Sequence, residues 1–123
     1  MHKKAAEIGG RLCIMGTNNN AVPACKKGVI AACRNAGRTE PEFIECILPE
    51  AAKALTDGNT DDFDRLLTDS ALNTIRTNTV SAILLAQVTM ARAKDAMIKA
   101  GISVPVLTTP EEGAKALLSA VKI

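Results

Sequence analysis

Apolar residues in this chain fall into two rhythms that alternate from end to end: short unbroken runs, and stripes at helical spacing. Arg11-Leu12-Cys13-Ile14-Met15 is a run of the first kind, ending at Gly16-Thr17, and it predicts a strand followed by a loop. Val22, Cys25, Val29, Cys33 and Ala36 then recur as one face of a helix that stops at Gly37. Phe43 to Leu48 predicts the second strand, with Glu45 marking a face exposed near an edge. Pro49 to Leu55 reads as a short helix with proline in its first turn. After the Asp57-Gly58 turn a longer helix begins, capped by Asn59 or Thr60. Asp61 and Asp62 favour its first turn, and Phe63, Leu66, Leu67, Ala71 and Ile75 face the core.

Ser81 to Ala86 is the third strand, and it is expected to run without a break into a helix marked by Met90, Ala93 and Met97 and ended by Gly101. Val104-Pro105-Val106-Leu107 is a short fourth strand, which its proline confines to an edge or a strand start. Thr109-Pro110-Glu111-Glu112 reads as a capping box, opening a last helix that turns Ala114, Leu117, Leu118 and Val121 inward.

Strands alternating with helices of this length imply crossover connections and a parallel sheet. The expected fold is therefore α/β: a four-stranded parallel sheet in the order 2-1-3-4 with helices on both faces, a flavodoxin-like or Rossmann-like three-layer lobe. Residues 1–123 form one domain, long enough to bury a core. The switch point falls between strands one and three, where ligands bind at the carboxyl ends of such sheets. That placement sets the Thr17–Asn20 loop beside Gln87–Thr89.

Composition narrows the chemistry. Aromatic residues are 2% of the chain, Phe43 and Phe63 alone, which argues against base stacking. The net charge of +2 comes from 15 basic and 13 acidic residues with no basic cluster, so neither nucleic acid nor an anionic membrane is an expected partner. No run is long enough to cross a bilayer, and the amino terminus lacks the apolar core of a signal peptide, so a cytoplasmic protein is expected. Cys13, Cys25, Cys33 and Cys46 form no CxxC pair, so no metal site is expected, and each is read as a small packing residue. With His2 as the one histidine, at a frayed terminus, neither a Ser-His-Asp nor a Cys-His pair can be assembled. A phospho-acceptor receiver needs acidic residues where Thr17-Asn18 and Gln87 stand.

Two polar junctions remain as a candidate site. Gly16-Thr17-Asn18-Asn19-Asn20 offers hydroxyl and amide groups at a helix start, either a cradle for a small anion or a plain turn with an asparagine cap. Gln87-Val88-Thr89 lies at the end of a buried strand. Thr89 there can cap a helix, whereas the Gln87 amide must find partners or face a cavity.

Four segments in order, Glu7 to Thr17, Ala51 to Asp64, Ile83 to Ala93 and Pro105 to Pro110, resemble the later part of an aspartate/glutamate/hydantoin racemase superfamily protein. The resemblance implies a cofactor-independent isomerase built of two α/β lobes, in which two cysteines exchange a proton across an acidic carbon. It places Thr17 and Asn20 near the substrate carboxylate and Thr89 within the second-half motif. The family's second catalytic cysteine falls at Gln87, and an amide has no usable pKa for proton transfer. No catalytic residue is therefore assigned, and the chain alone is expected to be inactive. The substrate-binding set is Thr17, Asn18, Asn20, Gln87 and Thr89. The ligand is expected to be a small carboxylate or amino-acid-like acid, with no cofactor. The resemblance implies a truncated lobe, completed by a partner or by self-association through the Ala114–Val121 face. The alternative is a non-catalytic α/β module that binds a small carboxylate or a protein partner.

Overall fold

The computed structural model describes residues 2–108. The elements in chain order are α1 (His2–Ile8), β1 (Arg11–Gly16), α2 (Ala21–Asn35), β2 (Glu42–Ile47), α3 (Pro49–Thr56) and α4 (Thr60–Thr77), then β3 (Ala82–Leu85), a 3-10 turn (Val88–Met90), α5 (Ala93–Lys99) and β4 (Val106–Thr108). The four strands form one sheet in the order β2-β1-β3-β4, and every pairing is parallel.

Alternation along the strands divides the core in two. Cys13, Met15, Ile83 and Leu85 face one side with Phe63, Leu67, Met90 and Met97, from α4 and the segment through α5. Leu12, Ile14, Ala82 and Leu84 face the other with Ala5 of α1 and Val22, Cys25, Val29 and Cys33 of α2. Helices on both faces explain why β3 is apolar at all four positions, since a doubly covered strand has no polar side. β2 is covered differently. It lies at the edge, and Glu42, Glu45 and Ile47 are exposed.

Local chemistry sets the helix ends. The side chain of Asn59 accepts the Asp62 N–H at 3.3 Å and caps α4, with Asp61 and Asp62 in the dipole-favoured first turn. Pro49 opens α3, where its missing N–H costs nothing. Gly101, at φ +97°, ends the α5 segment in a conformation that disfavours any other residue.

Three expectations need correction. The third strand does not run directly into a helix: a 3-10 turn and a bend separate β3 from α5, so Met90 belongs to the turn and the helix starts at Ala93. Nor is the amino terminus frayed at His2. Residues 2–8 form α1, and the half-buried imidazole occupies the notch left by Gly28, where any side chain on α2 would overlap it. Burial, then the neighbouring terminal charge, lowers the His2 pKa. Along α4 the buried stripe includes Thr68 and Thr74, while Leu66 and Ile75 are only half-buried. The capping box at Thr109, the last helix and its Ala114–Val121 face lie outside the described residues.

Thr68 is buried, and its hydroxyl oxygen has no hydrogen-bond partner among the described residues. An unpaired buried hydroxyl costs stability that an isosteric methyl does not, and valine and threonine have similar helix propensities. Thr68→Val is expected to stabilise the fold by about 1 kcal/mol, raising Tm by a few degrees in a thermal melt. A lowered Tm would show that the hydroxyl is satisfied in solution.

Candidate functional site

The carboxyl ends of β1 and β3 lie side by side, with Met15 in register with Leu85 and the Ala86 N–H donating to the Met15 carbonyl at 2.9 Å. Because β2 leaves β1 on one side and β3 on the other, the two following loops diverge here, at the switch point of the sheet. One side chain joins them. Oε1 of Gln87 accepts the Thr17 backbone N–H at 2.6 Å and the Thr17 hydroxyl at 2.8 Å. An N–H can only donate, so the Gln87 oxygen must face Thr17 and its Nε2 must point away. Gly16 makes room for Val22 of α2: a Cβ there would sit 2.7 Å from Cγ2 of Val22, though only in van der Waals contact, at 3.5 Å, with Oε1 of Gln87.

The same logic orients Asn18. Its Oδ1 accepts the N–H groups of Asn20 and Ala21, both at 2.9 Å, so Nδ2 is left outward as a donor. Asn18 is thus the asparagine that caps α2. Asn20 holds the cap position itself, but its backbone is already helical (φ −96°, ψ −44°) and its side chain makes no capping bond. A capping side chain is normally presented by extended backbone, which Asn20 lacks.

These bonds bear on the anion cradle. Of the first four residues of α2, Ala21 has given its N–H to Asn18, Pro23 has none, and Ala24 donates to the Asn20 carbonyl at 3.2 Å. The N–H of Thr17 is held by Gln87. The protein's own amide oxygens therefore sit where an anion's oxygens would be received by backbone. The side-chain donors left over by these bonds among the described residues are neutral, Nε2 of the half-buried Gln87 and Nδ2 of the exposed Asn18, with Asn20 and Thr89 exposed nearby in the chain. Thr17 and Gln87 are brought into contact, Asn18 flanks Thr17, and Asn20 and Thr89 make no side-chain hydrogen bond among the described residues.

Another residue at this edge escaped the sequence reading. Thr108 ends β4 in register with Leu85; it is 3% exposed, and its hydroxyl oxygen has no partner among the described residues. A threonine inside a short strand carries no distinguishing signal until the pairing places it next to β3. A cleft of about 550 Å³ opens instead at the amino ends of the strands, between Gly10, Arg11, Glu42 and Ser81. It is an open trough, and its charges are already matched, with Nη2 of Arg11 lying 2.8 Å from Oε2 of Glu42. The amide donors whose oxygens are fixed by backbone N–H groups, and which have no partner among the described residues, lie at the carboxyl edge.

Among the described residues no three metal-ligating side chains gather, and no helix is long and apolar enough to cross a membrane. The fold class is thus a parallel α/β lobe with an uncharged polar junction at its switch point. No protein-family model matches the chain, and neither does any curated protein or any solved structure.

Replacing Gln87 by methionine keeps the length of the side chain and removes its amide. The Thr17 N–H and hydroxyl would then lose their acceptor, so Gln87→Met is expected to cost about 1–3 kcal/mol in urea denaturation. An unchanged midpoint would mean that water replaces the amide freely.

Proposed function

We propose that this chain is a racemase-like α/β lobe that holds a small carboxylate or amino-acid-like acid and does not turn it over alone. The observation that carries the reading is the fixed orientation of Gln87: with Oε1 bound to Thr17, its Nε2 is committed as an outward donor at the switch point. A carboxylate accepts such donors through two oxygens, and Nδ2 of Asn18 supplies a second one from the facing loop. Neutral donors suit a ligand that also carries an ammonium group, because they bind its acid end without repelling its other charge. The proton-transfer chemistry that the resemblance implies has no counterpart at position 87, since an amide neither takes nor gives a proton near neutrality. A complete two-sided site would need a second lobe from a partner chain.

The test is amide and side-chain NMR of the labelled protein titrated with malonate, aspartate, glutamate and hydantoin. Shifts should cluster at Thr17 to Asn20 and at the Gln87 side-chain amide, while the α-proton of aspartate should fail to exchange in heavy water. The absence of shifts at millimolar ligand would overturn the binding claim. Exchange catalysed by the isolated chain would overturn the claim that it is inert.

A further inference from the structure

Between the β1–β2 pair and α4, two sulfurs lie together. Sγ of Cys13, fully buried on β1, is 3.6 Å from Sγ of Cys46, half-buried on β2. Sγ of Cys46 is also 3.7 Å from Oγ1 of Thr74 on α4, and Thr74 donates its own hydroxyl proton to the Ser70 carbonyl at 2.8 Å. This makes a directed chain. The Cys13 S–H donates to Cys46, the Cys46 S–H donates to Thr74, and the Thr74 O–H donates to the carbonyl.

The chain is asymmetric. If Cys46 loses its proton, the Cys13 S–H still points at the resulting thiolate and stabilises it without any rearrangement. If Cys13 were to lose its proton, the charge would be buried in the centre of the sheet. We propose that Cys46 is a nucleophilic modification site, activated by the Cys13 thiol, that undergoes exchange with small disulfides to form a mixed disulfide. Cys46 is itself only partly buried and stands on the edge strand, which gives a small reagent a way in.

The electrostatics run the same way. The hydrogen bond from Cys13 is the largest influence holding the Cys46 thiol below the ordinary range, while the same contact and burial push Cys13 well above it. The groups acting on Cys46 are Cys13 from β1 and Thr74 and Ser70 from α4, and none of them carries a charge. Among the described residues Cys25 has no such partner, and burial pushes it up to about 11.

In the reaction the Cys46 proton passes to water, and the thiolate attacks one sulfur of the disulfide. A new S–S bond forms as the old one breaks, and the departing thiolate takes up a proton. The Cys46 sulfur is oxidised and the departing sulfur is reduced. Cys13 does not complete an internal disulfide, because the two residues are not directly opposed: Cys13 is in register with Ile44 and Cys46 with Met15. Closing 3.6 Å to a bond of about 2.05 Å would require slippage of strands that are hydrogen-bonded in register.

The experiment treats the folded protein with oxidised glutathione across a pH series and locates adducts by peptide mass spectrometry. A single adduct on Cys46 is expected, formed at neutral pH faster than any on Cys25 or Cys33. Cys13→Ala should raise the midpoint of the rate profile, and each unit of rise removes about tenfold of the thiolate below that midpoint. Thr74→Val tests the site without altering the buried cysteine, and its adduct should remain on Cys46. An internal disulfide between Cys13 and Cys46 would overturn the proposal. So would adducts that appear only after unfolding, or a Cys46 profile that matches a free thiol in the unaltered protein.

Discussion

The amide oxygen of Gln87 is the tie on which the carboxyl edge depends. It receives two hydrogen bonds from a residue 70 positions earlier, and in doing so fixes the loop after β1 against the loop after β3. Without it the Thr17 N–H would lie at a partly buried strand end with no acceptor, a cost that native structures seldom leave uncompensated. Gly16 serves the packing beneath, since a side chain there would press on Val22 while reaching only van der Waals contact with the Gln87 amide. Asn18, the next residue, repeats the device by accepting the N–H groups of Asn20 and Ala21 at the start of α2. The edge is therefore preorganised from within. The Gln87 and Asn18 oxygens are used internally, and their amide N–H groups are the donors that the proposed ligand would use.

That division of labour separates this junction from a phosphate loop. A backbone cradle receives anions through free N–H groups at a helix start, whereas here much of the first turn of α2 has been capped or carries proline. The proposed binding would rest on side-chain amides, which are weaker than backbone cradles and more selective by geometry than by charge. The proposed ligand follows from this: small, acidic at one end, and free to carry a cation at the other. The cysteine pair on β1 and β2 draws on different physics, a buried S–H stabilising a thiolate nearer the surface.

Much of the architecture was legible because the governing patterns are local and strong. The uninterrupted Ala82-Ile83-Leu84-Leu85 run marks a doubly covered strand, the Val22-Cys25-Val29-Cys33 stripe marks α2, and Asn59 with Asp61 and Asp62 marks the start of α4. From the alternation of these elements the parallel order 2-1-3-4 follows, and the order alone brings the end of β1 beside the end of β3. Other features escaped because nothing local encodes them. The seven residues of α1 are too few for a helical stripe, and α1 docks through Ala5, Ala6 and the fit of His2 against Gly28. The capping role of Asn18 rather than Asn20 turns on one pair of backbone angles. The Cys13–Cys46 contact and the unpartnered Thr108 hydroxyl exist only once the strands are in register.

The most direct test of the tie is a scalar coupling across the hydrogen bond between the Thr17 amide nitrogen and the Gln87 side-chain carbonyl carbon, measured by NMR on the free, isotopically labelled protein. A resolved coupling, with a Gln87 side-chain amide held in one rotamer, is the predicted result. A Gln87 side chain that averages between rotamers and shows no coupling to Thr17 would contradict the account, for the outward donor would then have no fixed direction.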